Sequence, residues 1–455
     1  MKTVKRPTPA FEKLNEWESY PTQMPHEYMQ SMDEGLDVES YKDRFYEIYK
    51  MPEGEERHRL ADEMYDVVLN AKMREGYKYN EPSDLEGIKA LRKPHTINGT
   101  KPEDYKNKLM GAWMGRICGC LLGKPVECMR TNELVPMLKD SGNYPMHRYI
   151  LSTDITEEMY ESYEFQLKGK PFADTVDHMP MDDDTNYMVL AQRLIERKGR
   201  DFTAEDVAHL WQTSQPKFFY CTAERVAYIN FVNGFTPPNS AIFKNPFREW
   251  IGAQIRGDYL GYINPANPEL AAEFAFRDAS ISHTKNGIYG EMWVSAMIAT
   301  VAITDDIEDI IYGGLAQIPH TSRLYEAVES VILGYKNGIT ETECFERIHK
   351  EFDEYSDHGW THTISNAMIV TAALLYGKGD YSRSICMAVE TGFDTDCNGA
   401  TVGSILGMRN GIDGIDESWT KPINDRLSTT IFGVGEVKIS DCVDKTLEHT
   451  VWGEL

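Results

Sequence analysis

The stretch Gly111-Ala-Trp-Met-Gly115-Arg-Ile-Cys-Gly119-Cys-Leu-Leu-Gly123-Lys-Pro-Val-Glu127 decides how this chain is read. Its four glycines recur at every fourth position, so on a helix they lie along one slowly drifting stripe. Each costs a helix interior about 1 kcal/mol relative to alanine, so the stripe needs a compensating contact. The close approach of a second backbone is the natural one. Pro125 then ends the helix and places Glu127 just past it. Tight packing, with Glu127 an ordinary surface acid, is the reading that the glycine spacing alone favours, so the chemistry has to be sought elsewhere in the chain.

From about residue 104 to the end, one amphipathic helix follows another. Segments 185–198, 204–213, 287–303, 322–335, 362–376 and 381–390 carry apolar residues at three- and four-residue steps, with Gly or Pro in the gaps. Two-residue alternation is nearly absent, and the one strand expected is 430–439. These patterns predict an all-α fold, a multi-helix domain over 104–455. Residues 1–100 differ. They are rich in Glu, Lys, Tyr and Met, with a helical pattern at 56–73 through Leu60, Met64, Val67 and Val68. They close in the Pro- and Gly-bearing run 93–102, which reads as a linker. They are expected to form a helical N-terminal extension, a cap or an oligomerisation segment. Its apolar stripe needs a surface, which predicts packing on the larger domain.

Composition narrows the function. The 455 residues are 41% apolar and 26% charged, ordinary for a cored globular protein. The N-terminus lacks the basic, apolar and small-residue pattern of a secretory signal. The longest apolar run, 367–376, falls far short of the roughly 18 residues a membrane helix needs, so no membrane partner is expected. A total of 72 Asp and Glu against 47 Lys and Arg gives a net charge of −25. Such a field repels nucleic-acid phosphates. It repels an anionic substrate too, unless bound metal reverses the local sign. Eight cysteines, without a C-x-x-C pair or zinc-finger spacing, suit a reduced, cytoplasmic protein.

Two acidic motifs stand out. Met181-Asp182-Asp183-Asp184-Thr185 opens a helix whose apolar face includes Met188, Ala191, Leu194 and Ile195. Adjacent carboxylates repel one another, more so if buried. A divalent cation removes that penalty, and hard oxygen donors suit Mg²⁺ or Mn²⁺. Helix capping is the competing explanation, although a cap takes one acid rather than three. The second motif is Glu390-Thr-Gly-Phe-Asp394-Thr-Asp396-Cys397-Asn-Gly-Ala-Thr-Val-Gly-Ser404, where Asp394 and Asp396 can aim two carboxylates at one point. It is not an EF-hand: counting from Asp394, position 6 is Gly399, but position 12 is Ile405 where Glu is required. His358 and His362 are a poor zincin pair, because Gly359 stands where the general-base Glu belongs. His283, in Ser282-His283-Thr284, reads either as a structural histidine or as a substrate contact.

Taken in order, these pieces resemble the ADP-ribosylglycohydrolase family from about Tyr105 onward. They are the glycine helix ending in Pro-Val-Glu, the acid cluster before a helix, Ser-His-Thr-Lys-Asn-Gly-Ile-Tyr-Gly-Glu-Met at 282–292, and Gly-Phe-Asp-Thr-Asp-Cys-Asn at 392–398. The resemblance implies an all-α fold with two metal ions, Mg²⁺ or Mn²⁺, at the bottom of a cleft. It implies a hydrolase that cleaves an N- or O-glycosidic bond at the ribose of an ADP-ribose-like substrate, carried by a protein or a small molecule. It assigns Asp182, Asp183, Asp184, Asp394, Asp396 and Cys397 to the metals. Glu127, with Asp183 and Asp184, falls at the catalytic positions, and His283, Asn286, Gly287 and Tyr289 at the substrate cleft. Three positions depart from the family pattern. Asp182 stands where Thr is usual, and Cys120 replaces an Asp after the third glycine. Cys397 replaces a Thr hydroxyl, and a thiol is a poorer partner for Mg²⁺. These changes bear on the substrate. Two other readings stay open: a hydrolase of a free nucleoside or small N-glycoside, and a non-enzymatic, crystallin-like relative.

Overall fold

The glycine stripe does meet a second backbone. In the computed structural model, which describes residues 9–454, the glycine helix Tyr105–Gly123 lies antiparallel to the helix Thr395–Asn410. That partner has its own four-residue glycine repeat at Gly399, Gly403 and Gly407, and the two repeats face each other one for one. A Cβ on Gly111 would lie 2.3 Å from the Gly407 carbonyl oxygen, one on Gly115 2.3 Å from that of Gly403, and one on Gly119 2.0 Å from that of Gly399. Any side chain there would force the helices apart. The low helix propensity of the stripe is the condition of the contact.

Around this pair the fold is all-α, as the periodicity predicts. The helices Lys285–Val301 and Thr363–Gly377 are buried on nearly every face, which places them at the centre of the core. Outer helices are closed by capping boxes: Thr203 with Asp206 and Thr340 with Glu343 satisfy first-turn N–H groups reciprocally. Among the described residues the one sheet pairs Arg426–Ser428 with Glu436–Lys438, antiparallel, with Leu427 opposite Val437. The strand expected at 430–439 therefore survives only in its second half. Residues 430–435 form the connecting turn, where Gly433 and Gly435 take φ of +73° and +69°. No helix among the described residues is long and apolar enough to cross a membrane.

The segment ahead of the glycine helix holds itself together. Its helices Met24–Asp33, Lys42–Lys50 and Glu55–Asn70 bury Met24, Phe45, Ile48, Leu60, Met64 and Val68 against one another. Most of the stripe is matched within the segment, Phe243 of the larger domain packs against the same cluster, and the rest of the docking face is acidic. Arg248 binds Glu27 at 2.8 Å and Glu34 at 2.5 Å, Lys285 binds Glu34 at 2.6 Å, and Arg323 binds Glu81 at 2.8 Å.

Candidate active site

The glycine ladder ends by bringing the acidic motifs together. A Cβ on Gly123 would meet the backbone nitrogen of Asp396 at 2.3 Å, and the Thr395 hydroxyl donates to the Gly123 carbonyl at 2.9 Å. The turn before Asp394 takes two left-handed residues, Gly392 at φ +77° and Phe393 at φ +59°. Phe393 is fully buried in a conformation that costs a non-glycine residue roughly 1–2 kcal/mol. Asn366 anchors the next residues: its Oδ1 accepts from the Asp394 N–H at 3.2 Å and from Asn398 Nδ2 at 2.8 Å. From the other side the helix Asp183–Lys198 starts at Asp182, whose Oδ1 accepts from the Asp184 N–H at 2.9 Å.

Donor atoms of Cys120, Asp182, Asp184 and Asp396 lie within 4.8 Å of one another, as do those of Asp394, Asp396 and Cys397; Asp396 belongs to both groups. Two cations answer these acids. Lys124 pairs with Asp182, and fully buried Arg116 pairs with Asp184 at 2.8 Å and with Asp258 at 2.9 Å. Negative charge remains in excess, and the carboxyl groups show it. Burial, then Asp182 and Asp396, pushes Asp183 up to about 7; burial, then Asp182, pushes Asp396 up to about 6. Asp184 and Asp394 rise well above the carboxylate range, mainly through burial. Glu127 rises chiefly because Asp396 faces it, then through burial. Asp184 Oδ2 and Asp396 Oδ1 are buried without a hydrogen-bond partner. Unpartnered carboxylate oxygens converging from two helix starts are a donor set that fits a hard divalent cation.

A cleft of about 360 Å³ opens over this cluster, within the roughly 300–1,000 Å³ typical of ligand sites. Glu127, Asp183, Asp394, Asp396 and Cys397 line it, together with the aromatic rings of Trp17, Phe247, Trp250 and Trp360. Other sequence-assigned residues have different places. Both oxygens of Asp182 are engaged, one as the helix cap and one by Lys124, so it anchors rather than offers a free donor. Asp184 is fully buried and lies off the lining; one of its oxygens is held by Arg116 and the other has no partner. Cys397 is a buried neutral thiol, pushed up by burial and then by Asp184 and Asp394.

His283, Asn286, Gly287 and Tyr289, expected on the cleft, are not on its lining. The N-terminal segment covers that face. Asn286 Nδ2 donates to Glu81 at 2.8 Å, and the Tyr289 hydroxyl donates to the Pro82 carbonyl. His283 is buried against Ser282 Oγ at 2.8 Å, and a Cβ on Gly287 would meet the Arg248 carbonyl at 2.5 Å. His358 and His362 do come together with Asp33. Their tautomers argue against a metal there. Trp250 Nε1–H donates to His358 Nδ1 and the Ile364 N–H to His362 Nδ1, each at 3.1 Å, so both rings carry their proton on Nε2. His358 spends that proton on Asp33 at 2.8 Å.

The sequence reading passed over Arg116, Cys120 and Lys124 as a set. Each sits one residue past a glycine of the stripe, at the same four-residue spacing, so the helix shows glycine to its partner and these three side chains to the acids. That repeat was a readable signal.

A family model described as ADP-ribosylglycohydrolase matches residues 101–446. The chain belongs to the ADP-ribosylglycohydrolase family. It is thus a member of a family of glycosidic-bond hydrolases. Among solved structures, a chain described as an "ADP-ribosylglycohydrolase-related protein complex" has a TM-score of 0.49 and 16% identity, covering 76% of this chain and 98% of that one. No curated protein sequence matches. Trp17, Gln23 and His26 lie outside the family match yet line the cleft.

Proposed function

We propose that the acid cluster holds divalent cations, Mg²⁺ or Mn²⁺ in a dinuclear centre, and that the protein hydrolyses a glycosidic bond at the anomeric carbon of a ribose. The observation that carries this reading is the meeting of buried, unpartnered oxygens of Asp184 and Asp396 among more acids than cations. Asp183, Asp184, Asp394 and Asp396 would hold the ions, with Asp182 and Cys397 beside them. Such cations supply Lewis-acid polarisation of water and of ribose hydroxyls. Arg116 and Lys124 fix Asp184 and Asp182 in place. The Glu127 side chain lines the cleft; cations that neutralise Asp396 would lower its raised pKa and leave it ionised to take a proton from the attacking water. The carboxylates around the ribose favour an oxocarbenium-like transition state. The eight cysteines, all free thiols, fit a reduced, cytoplasmic setting.

The family relationship points to an ADP-ribosyl group on a protein or small molecule; the lining of the cleft favours a smaller glycoside. The test combines Mn²⁺ titration calorimetry with ribose release. Asp394→Asn should abolish both. Glu127→Gln should keep Mn²⁺ binding and lower kcat by about 10²–10⁴-fold. A wild-type protein that binds no divalent cation, or whose hydrolysis ignores a chelator, overturns the reading.

A further inference from the structure

We propose that the cleft takes a phosphate-free ribosyl glycoside whose leaving group is a flat, uncharged heteroaromatic base, selected by Trp17 and His26 of the N-terminal segment. This rests on the hydrolytic reading of the acid cluster and names its substrate. Trp17 packs against the cluster of Ala223, Val226, Phe247 and Trp250, and Trp17, Phe247 and Trp250 line the cleft with the acids. Aromatic faces of this kind stack on any base without reading a charge.

The electrostatics point the same way. Beyond the acid cluster, the charged side chains on the lining, among the described residues, are Glu16, Glu224 and Asp357. Glu224 sits in the first turn of the helix Thr222–Val232 and offsets the positive end that this helix brings to the cleft. Arg225 and Arg130 are stacked on Trp17 and Trp360, at 4.9 and 4.7 Å, and are not on the lining. Glu224 is paired with Arg256 at 2.9 Å and Asp357 with Arg130 at 3.6 Å, so the lining offers a diphosphate no free cation, and a neutral base needs none.

His26 supplies a hydrogen-bonding edge. Gln23 Nε2 donates to the Glu16 carbonyl at 2.9 Å, which turns Gln23 Oε1 toward His26 Nδ1 at 2.6 Å. Nδ1 therefore carries the ring proton, and Nε2 is left as an acceptor suited to a ring N–H or exocyclic amine. Burial pushes His26 down to about 4, so the ring is neutral at pH 7 and offers phosphate no charge. The same segment covers Asn286 and Tyr289 through Glu81 and Pro82. It closes one surface and builds another.

In the reaction, water oxygen bonds to the anomeric carbon as the C–N bond breaks and its electron pair passes to the base nitrogen. One water proton ends on that nitrogen and the other stays on the new sugar hydroxyl. Free ribose and free base are the products, with no oxidant or reductant.

The experiment uses the full chain with Mn²⁺. Ribose release from adenosine, inosine and uridine is compared with ADP-ribose release from ADP-ribosyl-arginine and an ADP-ribosylated peptide. Binding of adenosine and ADP-ribose is read separately by quenching of tryptophan fluorescence. Expected are nucleoside turnover with a kcat/KM at least about tenfold above the ADP-ribosyl substrates, and tighter binding of adenosine than of ADP-ribose. Trp17→Ala should raise KM about tenfold with kcat little changed, and Trp17→Phe should restore most of it. Preferential turnover or binding of ADP-ribosyl compounds overturns this substrate class and leaves the metal-hydrolase reading standing. Preferential nucleoside binding without metal-dependent turnover of any substrate does the reverse.

Discussion

With its carboxyl pushed up to about 7, Asp183 holds a proton that a cation must displace, and Asp396, at about 6, does so one step lower. Both folded values lie above the ordinary value of 3.8. In the cation-free protein these groups thus favour the fold fully below about pH 4, and that contribution is lost as pH rises through about 6 and then 7. Metal binding runs the opposite way, because it needs the carboxylates ionised. The rise in Tm on adding MnCl₂ should be small at pH 5 and should grow steadily to pH 7.5. A rise independent of pH would show that neither residue contacts the ion. At this scale the sequence was informative about identity and weak about role. The Asp-Asp-Asp run announced a cluster, yet nothing in it showed that Asp182 would be spent on a cap and Lys124, or Asp184 on Arg116. Those partners lie 58 and 68 residues away in the chain.

The pairing of two glycine-striped helices sets where the acids meet, so a methyl group should disturb metal and fold together. Gly119→Ala places its Cβ 2.0 Å from the Gly399 carbonyl oxygen, with backbone on both sides and no rotamer to yield. Overpacking of this kind costs about 3 kcal/mol, near the upper end of the usual range. The same separation moves Glu127 away from Asp394 and Asp396. Calorimetry should therefore show a lower Tm and weaker Mn²⁺ binding. Ala112→Gly, on the same helix, should lower stability by about 1 kcal/mol and leave Mn²⁺ affinity alone. Equal affinity in both variants would separate the ladder from the site. The first stripe, Gly111 to Gly123, was legible as a demand for a close neighbour. Its partner was equally visible at Gly399 and Gly403, but matching the two needs a long-range pairing that helix periodicity does not encode.

Across the whole molecule, the N-terminal segment is held to the rest by buried charge, and it supplies part of the cleft. Arg248→Ala would strand Glu27 in a buried site and leave Glu34 only Lys285, a loss of about 3–5 kcal/mol. Limited proteolysis should then cut the segment ahead of Tyr105 many times faster, with a change in tryptophan emission as Trp17 leaves the cluster of Ala223, Val226, Phe247 and Trp250. Unchanged cleavage would show that other contacts hold the segment. The all-α architecture was readable from three- and four-residue steps. The docking of residues 9–100 was not, because isolated acids such as Glu34 and Glu81 carry no period and find their cations far along the chain. The glycine ladder also limits how this chain can vary by descent. Gly111 faces Gly407, Gly115 faces Gly403 and Gly119 faces Gly399, so a step forward on one helix is a step back on the other. Inserting or deleting a single residue in either helix turns its stripe by about 100° and presents side chains where only backbone fits. Length changes within the paired stretch of either helix are therefore forbidden.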